Sequence, residues 1–184
     1  IKFENSNIVY LVEEVVLSIV DIAKDKNIEI IFNTEEEEII TAIDEEKIVR
    51  VILILLSNSI KFSKEKGDIC VEMRREDEEV VIKVTDNGIG INEDMKEKIF
   101  DKFKRVQSVS NLNVDHEGSG LGLYIAKGFI ELHNGSISVV SEVEKGSTFI
   151  ITIPIVIIKN DLHNIKHMDE DELNRIIKIE LSDL

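Results

Sequence analysis

The chain has 184 residues, 43% of them hydrophobic and 32% charged, with a formal net charge of −15. That length suffices for one domain with a sizeable core, and no apolar run approaches the ~20 residues needed to cross a bilayer. So acidic a surface repels phosphate backbones and excludes nucleic acid as a partner, so any anionic ligand must be held by a local device such as backbone amides or a metal ion.

In chain order, the opening residues are polar and lack a signal-peptide pattern. Asn7 can cap a helix beginning near Ile8, with Val9, Val12, Val16, Ile19, Val20 and Ala23 as its apolar stripe and Asn27 at its end. Residues 28–32 and 39–43 are short β-branched runs that predict strands. Asp44 caps a long helix running to about Phe62. Residues 68–75 and 80–85 alternate as a hairpin, and the one cysteine, Cys70, lies in that apolar run and fits a reducing, cytoplasmic setting. Residues 92–103 predict a short helix. Residues 104–119 are polar and aperiodic, the kind of long loop that often serves as a lid. A helix over 120–132 and strands over 135–141 and 148–153 close a domain spanning 1–156. The acidic tail, 157–184, ends with Ile177, Ile179 and Leu181 in alternation, which fits either disorder or an added edge strand. Strands in pairs among helices predict an α+β fold, a two-layer sandwich with a mixed, mostly antiparallel sheet and helices on one face.

Three stretches carry chemistry. Residues 51–56 are apolar on every side, yet Asn58 follows, with Lys61 and Phe62 three and four residues on, so that amide, ammonium and ring share one helix face. The amide oxygen suits Mg²⁺, the ammonium suits phosphate and the ring can stack on a base. The plainer alternative is a capping asparagine and a snorkelling lysine. Next, Asp86-Asn87-Gly88-Ile89-Gly90-Ile91 ends an apolar strand. A hairpin turn is the plain reading, but the residues that follow have helical spacing. A strand-end carboxylate can accept from an exocyclic amine such as that of adenine, and paired glycines permit close backbone approach. Third, Gly118-Ser119-Gly120-Leu121-Gly122-Leu123 opens a helix, where uncovered amides can bind phosphate. A dinucleotide-binding turn would need a strand immediately before these glycines, and a polar loop stands there instead. A P-loop is excluded because none of the nine glycines is followed by lysine.

In order and spacing these stretches resemble the N, G1 and G2 boxes of sensor histidine kinases. Residues 99–106, Ile-Phe-Asp-Lys-Phe-Lys-Arg-Val, resemble the F box of that family, and Gly146-Ser147-Thr148-Phe149 resembles its closing strand. The resemblance covers roughly 1–156 and implies an ATP-binding catalytic domain with the sandwich fold shared with gyrase-type ATPases, using ATP and Mg²⁺. It implies that Asp86 accepts from the adenine amino group, that Gly90 admits the base, that Phe62 stacks near it and that Thr148 supports the pocket. Asn58 would coordinate Mg²⁺, and Lys61 and Arg105 would contact phosphate, these three forming the catalytic set. Gly118, Gly120 and Gly122 would present lid amides to the triphosphate, and Gly88, Ile91, Ser119, Leu121 and Leu123 complete the nucleotide contacts. Phe100 and Phe103 would pack at the base of the lid.

The implied reaction passes the γ-phosphoryl group to a histidine on a separate dimerisation domain of the parent protein, which then serves a response regulator. The implied parent is a homodimer, membrane-anchored or not, with this domain cytoplasmic and monomeric in isolation. None of His116, His133, His163 and His167 has the acidic neighbour and following proline of an acceptor histidine, and the one proline is Pro154. The acceptor is therefore expected outside this chain, upstream of Ile1. Ile54 departs from the family pattern, standing one turn before Asn58 where many members carry a second polar residue. Two other readings use the same boxes, a nucleotide-binding module without turnover and a serine kinase of the anti-sigma type. The F box and the long lid favour the histidine kinase.

Overall fold

The computed structural model describes residues 1–64, 66–103, 120–159, 165–182 and 184. Two polar residues start the long helices. Asn7 Oδ1 accepts from the Val9 and Tyr10 amides at 3.1 and 3.5 Å and opens α1 (Ile8–Asp25). Asp44 Oδ1 accepts from the Lys47 amide at 3.2 Å and opens α2 (Glu45–Phe62). Both caps are where the sequence puts them. Before α1, a short strand β1 (Glu4–Asn7) pairs antiparallel with β3 (Ile40–Ile43).

The main sheet has five strands in the order β2 (Glu29–Thr34), β4 (Asp68–Glu76), β5 (Glu79–Asp86), β7 (Gly146–Pro154) and β6 (Ser136–Glu142). Only β2 and β4 run parallel. The α+β sandwich is thus as expected, but β2 and β3 are not a pair, since they join different sheets. Strand alternation puts Val71, Val84, Phe149 and Val139 in one cross-strand row, and Met73, Ile82, Ile151 and Ile137 in the next. These rows form the sheet side of one core, and α1, α2 and α3 (Gly122–Leu132) close it with residues such as Ile19, Leu53, Leu56 and Ile130. His133, just past α3, ties that helix to the start of α2. Its Nε2 accepts from the Asp44 amide at 3.0 Å, and its Nδ1–H donates to the Phe129 carbonyl at 2.7 Å, which fixes the neutral tautomer.

Two expectations need correction. Residues 92–103 form no α-helix. Their described structure is two 3₁₀ turns, Glu93–Met95 and Lys98–Phe100. The described part of the tail adds no edge strand beyond an isolated parallel bridge from Lys166 to Ser6. It forms α4 (Glu170–Glu180), capped by Asp169, which packs on α2 through buried Leu173, Ile176 and Ile177. The 173/176/177 spacing is helical, and it outweighs the local alternation of Ile177, Ile179 and Leu181. No described helix is long and apolar enough to cross a membrane.

Candidate functional site

The centre of the candidate site follows from strand alternation. Val80, Ile82 and Val84 of β5 face the helices, so Asp86, two residues on, faces them too, at the edge of the core. The carboxylate is 6% exposed. Its Oδ1 accepts from the Gly88 amide at 2.9 Å and the Ser147 amide at 3.3 Å, and Ser59 of α2 donates to its Oδ2 at 3.3 Å. Burial pushes the carboxyl above the ordinary carboxylate range, and the bonds from Gly88, Ser147 and Ser59 oppose that shift.

The loop after Asp86 is clamped between α2 and the β6–β7 turn. The Ile89 amide donates to the Phe62 carbonyl at 3.1 Å, and the Glu144 amide to the Ile89 carbonyl at 2.8 Å. Buried Ile91 donates its amide to Ser141 Oγ at 2.8 Å, and that hydroxyl also bonds the Gly146 carbonyl and Ser147. Gly90 has φ +71°, and a Cβ there would lie 2.1 Å from the Glu142 carbonyl oxygen. The close approach that demands glycine at position 90 is therefore to the protein's own turn.

The third stretch meets the same helix. A Cβ on Gly122, the first residue of α3, would sit 3.2 Å from Ile54 Cγ2. Asn58 lies one turn further along that face of α2, with Lys61 and Phe62 beyond it, all three half-buried. Leu121 precedes α3, Leu123 packs against the core, and the α3 N-terminus has no side-chain cap. The Phe103 amide donates to the Gly120 carbonyl at 3.1 Å, so the residues flanking 104–119 meet at the base of that segment. Phe100 is buried edge-on against Phe149 with ring centroids 6.5 Å apart, whereas the Phe103 ring is exposed.

Asp86 and Gly88 thus meet α2 at Ser59 and Phe62, and Gly122 meets it at Ile54, with Asn58 and Lys61 on the same helix between and beside them, whereas Gly90 and Ile91 pack on the β6–β7 turn and Gly120 bonds Phe103. Arg105, Gly118, Ser119 and His116 lie outside the described residues. Thr148 does not join the group. The β5–β7 register pairs Asp86 with Ser147 and Thr85 with Thr148, and alternation sends the second pair to the sheet face away from the helices, where their hydroxyls lie 3.1 Å apart. The supporting residues the sequence did not single out are Ser59, Ser141 and Ser147. All three are buried hydroxyls, and a serine at an inward position of an otherwise apolar pattern is the signal that marks them.

Comparison with known proteins agrees with the fold. Residues 43–157 match the family of histidine kinase-, DNA gyrase B-, and HSP90-like ATPases. The chain is 34% identical over 167 residues to histidine kinase P4 of Formosa agariphila and 35% identical over 136 residues to sensor histidine kinase WalK of Bacillus subtilis. Those alignments take in 84% and 73% of this chain but only 12% and 22% of the relatives' own lengths. Among solved structures, the catalytic domain of histidine kinase ThkA superposes with a TM-score of 0.74 at 28% identity, covering 85% of this chain and 100% of that one. ThkA in complex with response regulator protein TrrA superposes with a TM-score of 0.68, covering 84% of this chain and 42% of that one. The chain belongs to the histidine kinase-, DNA gyrase B- and HSP90-like ATPase family, as an ATP-binding catalytic domain of the histidine-kinase kind.

Proposed function

We propose that this domain, residues 1–156 at least, binds Mg-ATP in the crevice beside the C-terminal half of α2. It would transfer the γ-phosphoryl group to a histidine on a separate dimerisation domain of its parent protein. One observation carries this reading. A buried strand-end carboxylate, an amide–ammonium–ring triplet and a helix N-terminus that opens on glycine lie along one half of one helix. Asp86 offers an acceptor to the adenine amine, and Phe62 a ring near the base. Lys61, and Arg105 from beyond the described residues, would neutralise phosphate charge, and the amides of 118–122 would wrap the triphosphate. Phosphoryl transfer needs mainly positioning and charge neutralisation, which these groups are suited to supply.

Mg²⁺ fits this donor set as an ion held chiefly by phosphate oxygens and water. Asn58 contributes one hard amide oxygen, and the described residues contain no cluster of three metal-ligating side chains that would form a protein cage. When bound, the ion would supply further neutralisation of the phosphates. The partners in this reading are the histidine-bearing domain of a homodimeric, cytoplasmically exposed parent and a response regulator, by analogy with ThkA and TrrA. Ile54 motivates a second reading, ATP binding without transfer, because an apolar side chain packs at the α3 N-terminus where it can hold neither metal nor water.

The test mixes the chain with γ-labelled ATP, Mg²⁺ and the cognate histidine-bearing domain. Acid-labile label on that domain supports the kinase, and ATP binding with no transfer favours the second reading. Acid-stable label would point to serine instead.

A further inference from the structure

We infer that the cleft between α1 and the C-terminal segment is a second ligand site, one that takes a small organic cation, a primary ammonium on a short apolar body. The cleft encloses about 450 Å³, within the range of small-ligand sites. Leu11 and Leu17 of α1 form one wall, and Met168 and Leu173 the other. Glu14 and Glu170 add a carboxylate from each side, and the described lining contains no lysine, arginine or histidine.

What makes this more than an acidic surface is Glu45, the first residue of α2, which also lines the cleft. It is only 8% exposed, and although Ser6 bonds the carboxyl, its Oε2 is buried with no hydrogen-bond partner among the described residues. A buried carboxylate oxygen left unsatisfied is unfavourable, and a ligand N–H is the kind of group that would satisfy it. Burial also pushes the Glu45 carboxyl above its ordinary range, with a bond from Ser6 and the charges of Lys166 and His167 opposing, and an ammonium in the cleft would favour its ionised form. Two neighbouring cationic side chains, Lys166 and His167, also attract the Glu45 carboxylate, but neither lines the cleft. Lys166 pairs with Glu4 at 3.2 Å, and the His167 ring packs edge-on against Tyr10 with centroids 5.2 Å apart. Carboxylates on three sides select a cation over an anion, and the leucine and methionine walls favour an alkyl body over a bare metal ion. None of these residues belongs to the nucleotide crevice, so the inference stands apart from the kinase reading.

Titration calorimetry of the chain with n-pentylammonium, in ~0.15 M salt to screen diffuse attraction, tests it against uncharged 1-pentanol. The expected result is saturable one-to-one binding of the ammonium, none of the alcohol, and at least a tenfold loss in Glu45→Gln. Leu17, 59% exposed, tolerates substitution, and Leu17→Lys should abolish binding by placing a protein ammonium at the cleft. ATP binding measured on both variants reports that the fold is intact and should be unchanged. Non-saturable binding, equal binding of the alcohol, or full affinity in either folded variant would overturn the proposal. So would ammonium binding that persists in Leu17→Lys should Glu45→Gln fail to fold.

Discussion

The two halves of α2 serve different ends. Its C-terminal half carries Ser59, Asn58, Lys61 and Phe62 to a crevice built from polar groups, each held by a hydrogen bond or left half-exposed. Its N-terminal half is covered by α4, through Leu173, Ile176 and Ile177 and an ion pair from Arg50 to Glu180 at 2.6 Å. Apolar burial stabilises without specifying a ligand, whereas oriented polar groups specify a ligand at some expense of stability. Changes at α4 should therefore move stability and leave ATP affinity alone, and changes at the crevice should move ATP affinity.

The largest effect is expected at the cover. Ile176 is 2% exposed, and Ile176→Ala should lower unfolding stability by about 2–4 kcal/mol in a denaturant titration. ATP affinity should stay within about twofold, or about 0.4 kcal/mol against the 1.4 kcal/mol of a tenfold shift, because the variant leaves the crevice residues in place. A parallel loss of affinity would mean that the two halves of α2 are coupled. Asp86→Ala is the converse. Loss of a charge-assisted acceptor worth roughly 1.5–3 kcal/mol should weaken ATP binding ten- to a hundredfold by calorimetry. Unchanged affinity would place the base somewhere else.

A third prediction uses pH. His133 sits buried and neutral between the Asp44 amide and the Phe129 carbonyl, and burial holds its imidazole below the ordinary histidine range, with the Phe129 bond opposing. The unfolded chain, with an ordinary histidine, binds that proton more readily. Stability is thus complete above about pH 6.5 and is lost as pH falls below it, with a slope of up to about 1.4 kcal/mol per pH unit from this group. Denaturant melts at pH 7.5 and 5.5 should show a larger difference in wild type than in His133→Gln. An equal difference would remove His133 as the cause.

How much of this was legible in the sequence depended on range. The caps at Asn7 and Asp44 rest on contacts within three residues, and both could be read directly. Asp86 was legible as a strand-end carboxylate because its alternation with Val84 and Ile82 is local. Which residue of Ser147 and Thr148 stands beside it was not, because that depends on the register between β5 and β7, 61 residues apart, and a slip of one reverses the face. β1 was invisible because Glu4, Asn5, Ser6 and Asn7 have no strand-like pattern. Pairing with β3 and the bonds from Asn5 to Ile158 hold them. The parallel placement of β2 beside β4 is likewise a long-range choice.

The smallest effect sharpens the comparison most, because it concerns a polar tie between α4 and α2, the ion pair of Arg50 with Glu180. Arg50 bonds Glu46 within the helix as well as Glu180 across it, and the side chains of Arg50 and Glu180 are 26% and 18% exposed. Partial exposure screens the attraction, and Arg50 keeps Glu46 when Glu180 is removed, so the cross-helix bond should contribute only about 0.5–1 kcal/mol. A double-mutant cycle of Arg50→Gln and Glu180→Gln, read by denaturant unfolding, isolates that coupling from the loss of each charge. Coupling in this range leaves α4 held mainly by its three apolar side chains. Coupling well above 2 kcal/mol would instead make the ion pair the fastener and the apolar contacts secondary, so that salt, which would hardly disturb an apolar seam, would release α4 from the helix that carries the crevice.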